Sequence, residues 1–191
     1  MDEFEAIRLL RGGNAGGLEF LVTRYQRKAV QTAFLITRDQ GLAEDAAQEV
    51  FVRLLTRRIP NYDPRRDFEP YLMRSVVNAA LNLVEKTHRW QSLPGEGAEA
   101  RLEALFQRAG SAQPEQQAES AELKREIYAA LGQLSPRQRA AIVQRYYLEM
   151  SEQEMAQALD APPGTVKWLL NAARKRLNGI LRRPEGAKNE R

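Results

Sequence analysis

Residues 151–177 read Ser151-Glu152-Gln153-Glu154-Met155-Ala156-Gln157-Ala158-Leu159-Asp160-Ala161-Pro162-Pro163-Gly164-Thr165-Val166-Lys167-Trp168-Leu169-Leu170-Asn171-Ala172-Ala173-Arg174-Lys175-Arg176-Leu177. Ser151 precedes Glu154 by three positions, the spacing of a capping box, and Met155, Ala158 and Leu159 give the short helix an apolar side. Asp160-Ala161-Pro162 marks a tight turn. Pro163 can open a second helix, because the first helical position has no intrahelical hydrogen bond to lose. Two helices across such a turn form a helix-turn-helix, whose second helix enters the major groove while the first braces against the backbone. The charges agree with this. No acidic residue lies between Ala161 and Pro184, whereas Lys167, Arg174, Lys175, Arg176, Arg182 and Arg183 are all cationic. A solvated basic face accounts for the cations alone; the turn tips the balance toward DNA.

Working upstream, Leu123, Ile127, Ala130, Leu131 and Leu134 keep a helical period, and Ser135-Pro136 supplies an N-cap and first residue for a helix continuing through Ala141, Ile142, Arg145 and Tyr146. From Trp90 to Ser120 the composition shifts to Gly, Pro, Gln, Ser, Ala and Glu, the signature of a linker, with Glu99 to Arg108 able to form one amphipathic piece. Before it lie three long helical patterns: Leu18 to Ile36; Leu42, Ala46, Val50, Phe51, Leu54 and Leu55; and, from near Pro70, Leu72, Val76, Ala79, Ala80 and Leu83. Gly12-Gly13 and Gly16-Gly17 end a short first helix, and residues 59–67, with two prolines, read as a loop. No strand pattern competes. The expected fold is all-α: two small helical domains, residues 1–90 and 121–181, joined by a flexible linker over 91–120, with a tail over 182–191.

Composition excludes several functions. The 191 residues contain no Cys and one His, so thiolate zinc sites, thiol nucleophiles and multi-histidine metal centres are ruled out, and neither metal nor cofactor is expected. The start Met1-Asp2-Glu3-Phe4-Glu5 is acidic where a secretory signal is basic, and no run approaches the roughly 20 apolar residues of a membrane span. A cytoplasmic protein without membrane insertion is expected. The formal charge of +4 is small, but it divides by segment: −2 over residues 1–50, +4 over 51–90, −3 over 91–120, +3 over 121–181 and +2 beyond. Local basic patches, rather than the sum, govern nucleic-acid binding.

The strings Leu134-Ser135-Pro136-Arg137-Gln138-Arg139, Arg145-Tyr146-Tyr147, Ser151 to Ala156 and Gly164-Thr165-Val166-Lys167 resemble the promoter-reading C-terminal domain of bacterial sigma factors, closest to the extracytoplasmic-function (ECF) group. Independently, Ala43-Glu44-Asp45-Ala46-Ala47-Gln48-Glu49-Val50-Phe51 resembles that family's core-binding helix. With Phe20 to Tyr25 and Tyr71 to Asn78, the resemblance covers residues 4–90 and 121–181.

Asp45 and Glu49 lie four apart, so their carboxylates share a helix face with Gln48 while Leu42, Ala46 and Val50 turn inward. Spacing alone describes a solvated face, and a carboxylate pair permits acid/base chemistry, but nothing else marks an active site and no enzyme is expected. The resemblance implies that Asp45, Gln48 and Glu49 bind core RNA polymerase. Arg74, Asn78 and Asn82 form a polar stripe, and the preceding loop carries Asn61, Tyr62, Arg65, Arg66 and Phe68. Cations interleaved with aromatics suit single-stranded DNA, although Phe68 and Tyr71 are equally candidates for core packing. The resemblance implies that Asn61, Tyr62, Arg65, Arg66, Phe68, Arg74 and Asn78 capture the melted minus-10 element.

On the second helix of the helix-turn-helix, Pro163, Gly164, Thr165, Lys167, Trp168, Asn171, Arg174 and Lys175 are the candidates for minus-35 recognition. Trp168 either packs against sugar edges or enters the core. Three departures stand out: Pro162 where relatives commonly have a capping Ser, and Leu169 and Ala172 where many have Arg, the loss of two cations implying a shallower salt dependence. By resemblance, the acidic linker threads toward the polymerase cleft and an anti-sigma partner is expected. Two other functions stay open: a stand-alone helix-turn-helix regulator with an N-terminal sensing or dimerisation domain, and a polymerase-binding decoy that reads DNA poorly.

Overall fold

Asp2 starts the first helix: its side chain accepts from the Glu5 N–H at 2.7 Å and so satisfies one of the donors that a helix N-terminus leaves unpaired. This helix, α1 (Glu3–Arg11), leads into α2 (Gly16–Thr37), α3 (Gln40–Arg57) and α4 (Phe68–His88). In this computed structural model residues 1–57, 62–63, 66–88 and 125–181 are described, and among them all regular structure is helical, as the all-α expectation requires. The expected linker over 91–120, with its Glu99 to Arg108 piece, and the tail over 182–191 lie outside the described residues.

The first four helices bury one face each. Leu21, Tyr25, Ala29, Ala33 and Ile36 of α2 pack with Ala43, Ala46 and Val50 of α3 and Leu72, Val76 and Ala80 of α4. The α2–α3 corner is made by Arg38 in the left-handed region (φ 59°), and Asp39 then accepts from the Leu42 N–H at 2.8 Å to begin α3. Gly17 is required where α1 crosses α2: a Cβ there would stand 2.1 Å from the Ala6 carbonyl oxygen. Gly17→Ala is expected to push α1 off α2 and cost about 2 kcal/mol, in the range of core overpacking. An unchanged thermal midpoint would show that the crossing is not tight.

The C-terminal part begins with helical residues 125–132 (α5), followed by α6 (Pro136–Ile142), a π-helical segment (Val143–Tyr147), α7 (Glu152–Ala158) and α8 (Pro163–Leu181). Both capping signals hold. Ser135 pairs reciprocally with Gln138, and Ser151 with Glu154, while Pro136 occupies the start of α6. Bonding to Ser151 holds the Glu154 carboxyl below its ordinary pKa. The turn between α7 and α8 places Asp160 at φ 45°, a left-handed position that a short polar residue tolerates, and the Ala161 N–H bonds the Ala156 carbonyl at 3.0 Å. The continuous helix expected from Ser135 through Tyr146 is corrected. Its register widens after Ile142, so that the Leu148 N–H reaches back five residues to the Val143 carbonyl.

The two parts pack on each other and share one apolar core. Phe34 of α2 meets Tyr128 of α5 edge to face, ring centroids 6.4 Å apart. Arg139 of α6 is buried, its Nε donating to the Ile36 carbonyl at 2.7 Å and its Nη1 to the Leu134 carbonyl at 2.9 Å. Burial, reinforced by nearby Arg38, pulls this guanidinium down to about 10, which leaves it charged at neutral pH and dependent on those carbonyls. At the rim Arg137 pairs with Glu85 of α4 at 3.1 Å, and Arg74 of α4 donates to Gln157 of α7 at 3.2 Å.

Candidate nucleic-acid and partner interfaces

On α3 the acidic face has the expected geometry. Asp45, Gln48 and Glu49 are exposed, while Ala43, Ala46, Ala47 and Val50 are buried behind them. Glu49 pairs with Arg53 one turn on, at 3.5 Å. One apolar position is corrected: Leu54 enters the core, but Leu55 is 42% exposed, and Val52 is 49% exposed. Positions 45, 48, 52 and 55 fall on one side of a helix, so Val52 and Leu55 continue the acidic patch as an apolar strip that the sequence did not single out. Adjacent residues sit about 100° apart around a helix, and here Leu54 lies toward the core while Leu55 is turned off its edge.

Around the loop before α4 the aromatic residues are packed rather than presented. Tyr25, Tyr62, Phe68 and Tyr71 form a ring cluster with centroid separations of 5.3 to 6.0 Å, and Phe68 is fully buried. Tyr62 is buried too. Its hydroxyl donates to the Arg66 carbonyl at 2.6 Å, its own carbonyl accepts from Arg11, and burial raises its pKa, keeping the phenol neutral. Of the two roles open to Phe68 and Tyr71, core packing therefore holds for Phe68. Tyr71 is half-buried, with the Arg74 guanidinium over its ring at 5.8 Å. The polar stripe is present: Arg66 and Asn82 are exposed, and Arg74 and Asn78 half-buried, opposite buried Leu72 and Val76. Asn61 and Arg65 lie outside the described residues.

The third surface is the most complete. Pro163, Gly164, Thr165, Lys167, Trp168, Asn171, Arg174 and Lys175 are all exposed on α8, while Val166, Leu169, Leu170 and Ala173 are buried. Two contacts orient the cations: Lys167 pairs with Glu152 of α7 at 3.6 Å, and Arg174 Nε donates to the Tyr146 hydroxyl at 2.9 Å. Tyr146, exposed on the π-helical segment, supports Arg174, a role the sequence did not show. Trp168 is 64% exposed, which resolves its two alternatives in favour of the surface. Leu169 is a core residue, so the absence of an arginine there reflects packing and removes no side chain from the exposed face.

Residues 21–90 match the family Sigma-70 region 2, and residues 124–177 match Sigma-70, region 4. The ECF RNA polymerase sigma factor SigW of Bacillus subtilis (strain 168) is 28% identical over 178 residues, covering 92% of this chain and 95% of the relative. SigE of Mycolicibacterium smegmatis, another ECF sigma factor, is 31% identical over 84% of this chain and 60% of its own length. The ECF sigma-E factor of Escherichia coli (strain K12) is 28% identical over 90% of both. Among solved structures, CnrH in complex with the cytosolic domain of CnrY superposes with a TM-score of 0.62 at 23% identity, over 94% of this chain and 96% of that one. The sigma factor RpoE bound to the anti-sigma factor NepR from Bartonella quintana gives 0.59 at 17%, over 85% and 95%; both likenesses concern the fold. The protein is thus a sigma-70-type initiation factor. Within that family it belongs to the ECF group, and it directs promoter-specific transcription initiation. A stand-alone regulator leaves residues 21–90 unexplained. Among the described residues no helix is long and apolar enough to cross a membrane.

Proposed function

We propose that this chain tethers to core RNA polymerase through Asp45, Gln48 and Glu49, holds the melted minus-10 strand at residues 61–78, and reads the minus-35 duplex with α8. Residues 1–90 form the first functional domain and residues 121–181 the second. The observation that carries this assignment is the division of α8: eight candidate DNA contacts lie on its exposed side and an apolar row on its buried side, with no carboxylate between Ala161 and Pro184 to repel phosphate. Arg66 in the loop before α4, with Arg74 and Asn78 on α4, makes the strand contacts, while Tyr62 and Phe68 support the surface from beneath. The chain carries no bond-making chemistry of its own; it lowers the barrier to initiation by placing polymerase and stabilising the opened strand. It works in the cytoplasm, where polymerase and promoter DNA meet, and an anti-sigma partner restrains it by covering the same faces.

The test is transcription with purified core enzyme on a library of genomic fragments. Chain plus core is expected to give discrete promoter-specific transcripts that neither gives alone. Protection of duplex DNA by the chain alone, with no such transcripts, would instead establish a stand-alone regulator.

A further inference from the structure

Gly164, Trp168, Asn171 and Lys175 recur at intervals of four, three and four residues, which places them on one stripe of α8. At the start of that stripe the relief is low: a Cβ added to Gly164 would meet nothing within 4 Å. One turn on, the Trp168 indole projects into solvent, 64% exposed, flanked by Lys167 and backed by buried Val166, Leu169 and Leu170. A large apolar ring left outside the core on a helix that is otherwise cationic and polar loses the stabilisation that burial provides, so its place needs a surface to cover it. No carboxylate lies on α8 itself, and Glu152 of α7 is paired with Lys167 at 3.6 Å, so the helix face complements a polyanion. In the major groove the apolar feature that separates one base from the others is the C5-methyl of thymine; the remaining base edges are hydrogen-bond donors and acceptors.

We infer that Trp168 is a specificity-determining residue of the minus-35 interaction, its indole packing on the C5-methyl of a thymine in the major groove. This inference rests on the minus-35 role proposed for α8. Lys167, beside it, supplies phosphate attraction without sequence information, so the two neighbours divide affinity and base choice. The indole N–H can donate but cannot accept, and it therefore tolerates the thymine O4 beside the methyl.

The contact is tested atom by atom with holoenzyme assembled from core polymerase and the full chain, on a promoter selected from a random library. Each upstream thymine, on either strand, is replaced singly by deoxyuridine, which keeps base pairing and removes the methyl. Wild-type holoenzyme is expected to lose about three- to fivefold in affinity at one or two of these positions, the weight of one methyl-sized group returned to water. Trp168→Ala should bind more weakly and show no difference between thymine and deoxyuridine there, while Lys167→Ala should bind more weakly, keep the methyl sensitivity and lose about one unit of salt slope. Uniform weakening by Trp168→Ala with no deoxyuridine effect overturns the inference and leaves the α8 role standing, since Trp168 then packs on sugar edges. If neither Trp168→Ala nor Lys167→Ala changes upstream binding, the α8 role falls and the inference with it. Because Trp168 is mostly exposed, the variants should keep the wild-type thermal midpoint, which checks that the fold is retained.

Discussion

Asp45→Arg combined with Glu49→Arg is expected to abolish retention of the chain by core RNA polymerase, weakening binding at least a hundredfold. Both carboxylates are exposed on the face of α3 opposite the buried Ala46 and Val50, so the fold should tolerate the exchange. The Glu49–Arg53 pair is lost, but an exposed pair one helical turn apart contributes little. The interface suffers far more. Reversing two charges on a complementary surface replaces attraction with repulsion at two points, and like-charge juxtaposition across an interface costs several kcal/mol. Val52 and Leu55 are exposed on the same side, so on this assignment they are expected to add an apolar contact beside the acidic residues. Quantitative pull-down of core enzyme, with a melting curve as the fold control, reads the outcome; unchanged retention would place the polymerase contact elsewhere.

Local signals were legible wherever the structure depends on a few neighbouring residues. Ser151 with Glu154, Ser135 with Pro136, and the Asp160 turn are arrangements within one helical turn, and each sits where spacing placed it. Legibility fell where the answer depends on distant chain. Leu54 and Leu55 are alike in hydropathy, and which of them enters the core is decided by where α2 and α4 lie. Tyr62 and Phe68 looked like strand-binding aromatics because they alternate with arginines, but Phe68 packs on Tyr25, far back in sequence, and Tyr62 packs on Phe68. Nothing in its local sequence marks Arg139 as a core residue, yet it is buried, its guanidinium bonded to a carbonyl from α2. Most of the exposed face of α8 was legible, since helix period and charge both mark it, but Leu169, read as a groove position, is a core residue. For Trp168, whose size and polarity suit core and surface equally, the sequence left two alternatives.

The packing of the two parts against each other cannot persist on a promoter whose two elements are both engaged. Minus-10 and minus-35 lie about 25 base pairs apart, roughly 85 Å of duplex at about 3.4 Å per pair. Among the described residues the longest helix, α2, has 22 residues, about 33 Å at 1.5 Å each, and Arg74 of the proposed minus-10 surface is hydrogen-bonded to Gln157 of the helix-turn-helix. Residues 89–124, at up to about 3.3 Å each, give a covalent reach of roughly 120 Å, enough for the parts to separate. Fixing the packed arrangement should therefore block initiation while leaving the exposed α3 face able to hold core enzyme. The chain has no cysteine, so Glu85→Cys with Arg137→Cys, at the rim pair 3.1 Å apart, introduces its only two thiols. Unlinked, the double variant should transcribe like wild type, since exposed ion pairs contribute little. Joined by a short dimaleimide that contains a disulfide, it should still bind core but lose at least tenfold in promoter-specific transcript, and a reductant that cleaves the tether should restore it. Full transcription by the linked form would mean that separation is not needed. Recovery on cleavage ties the block to the closed arrangement, because modification of the two cysteines remains after the tether is cut.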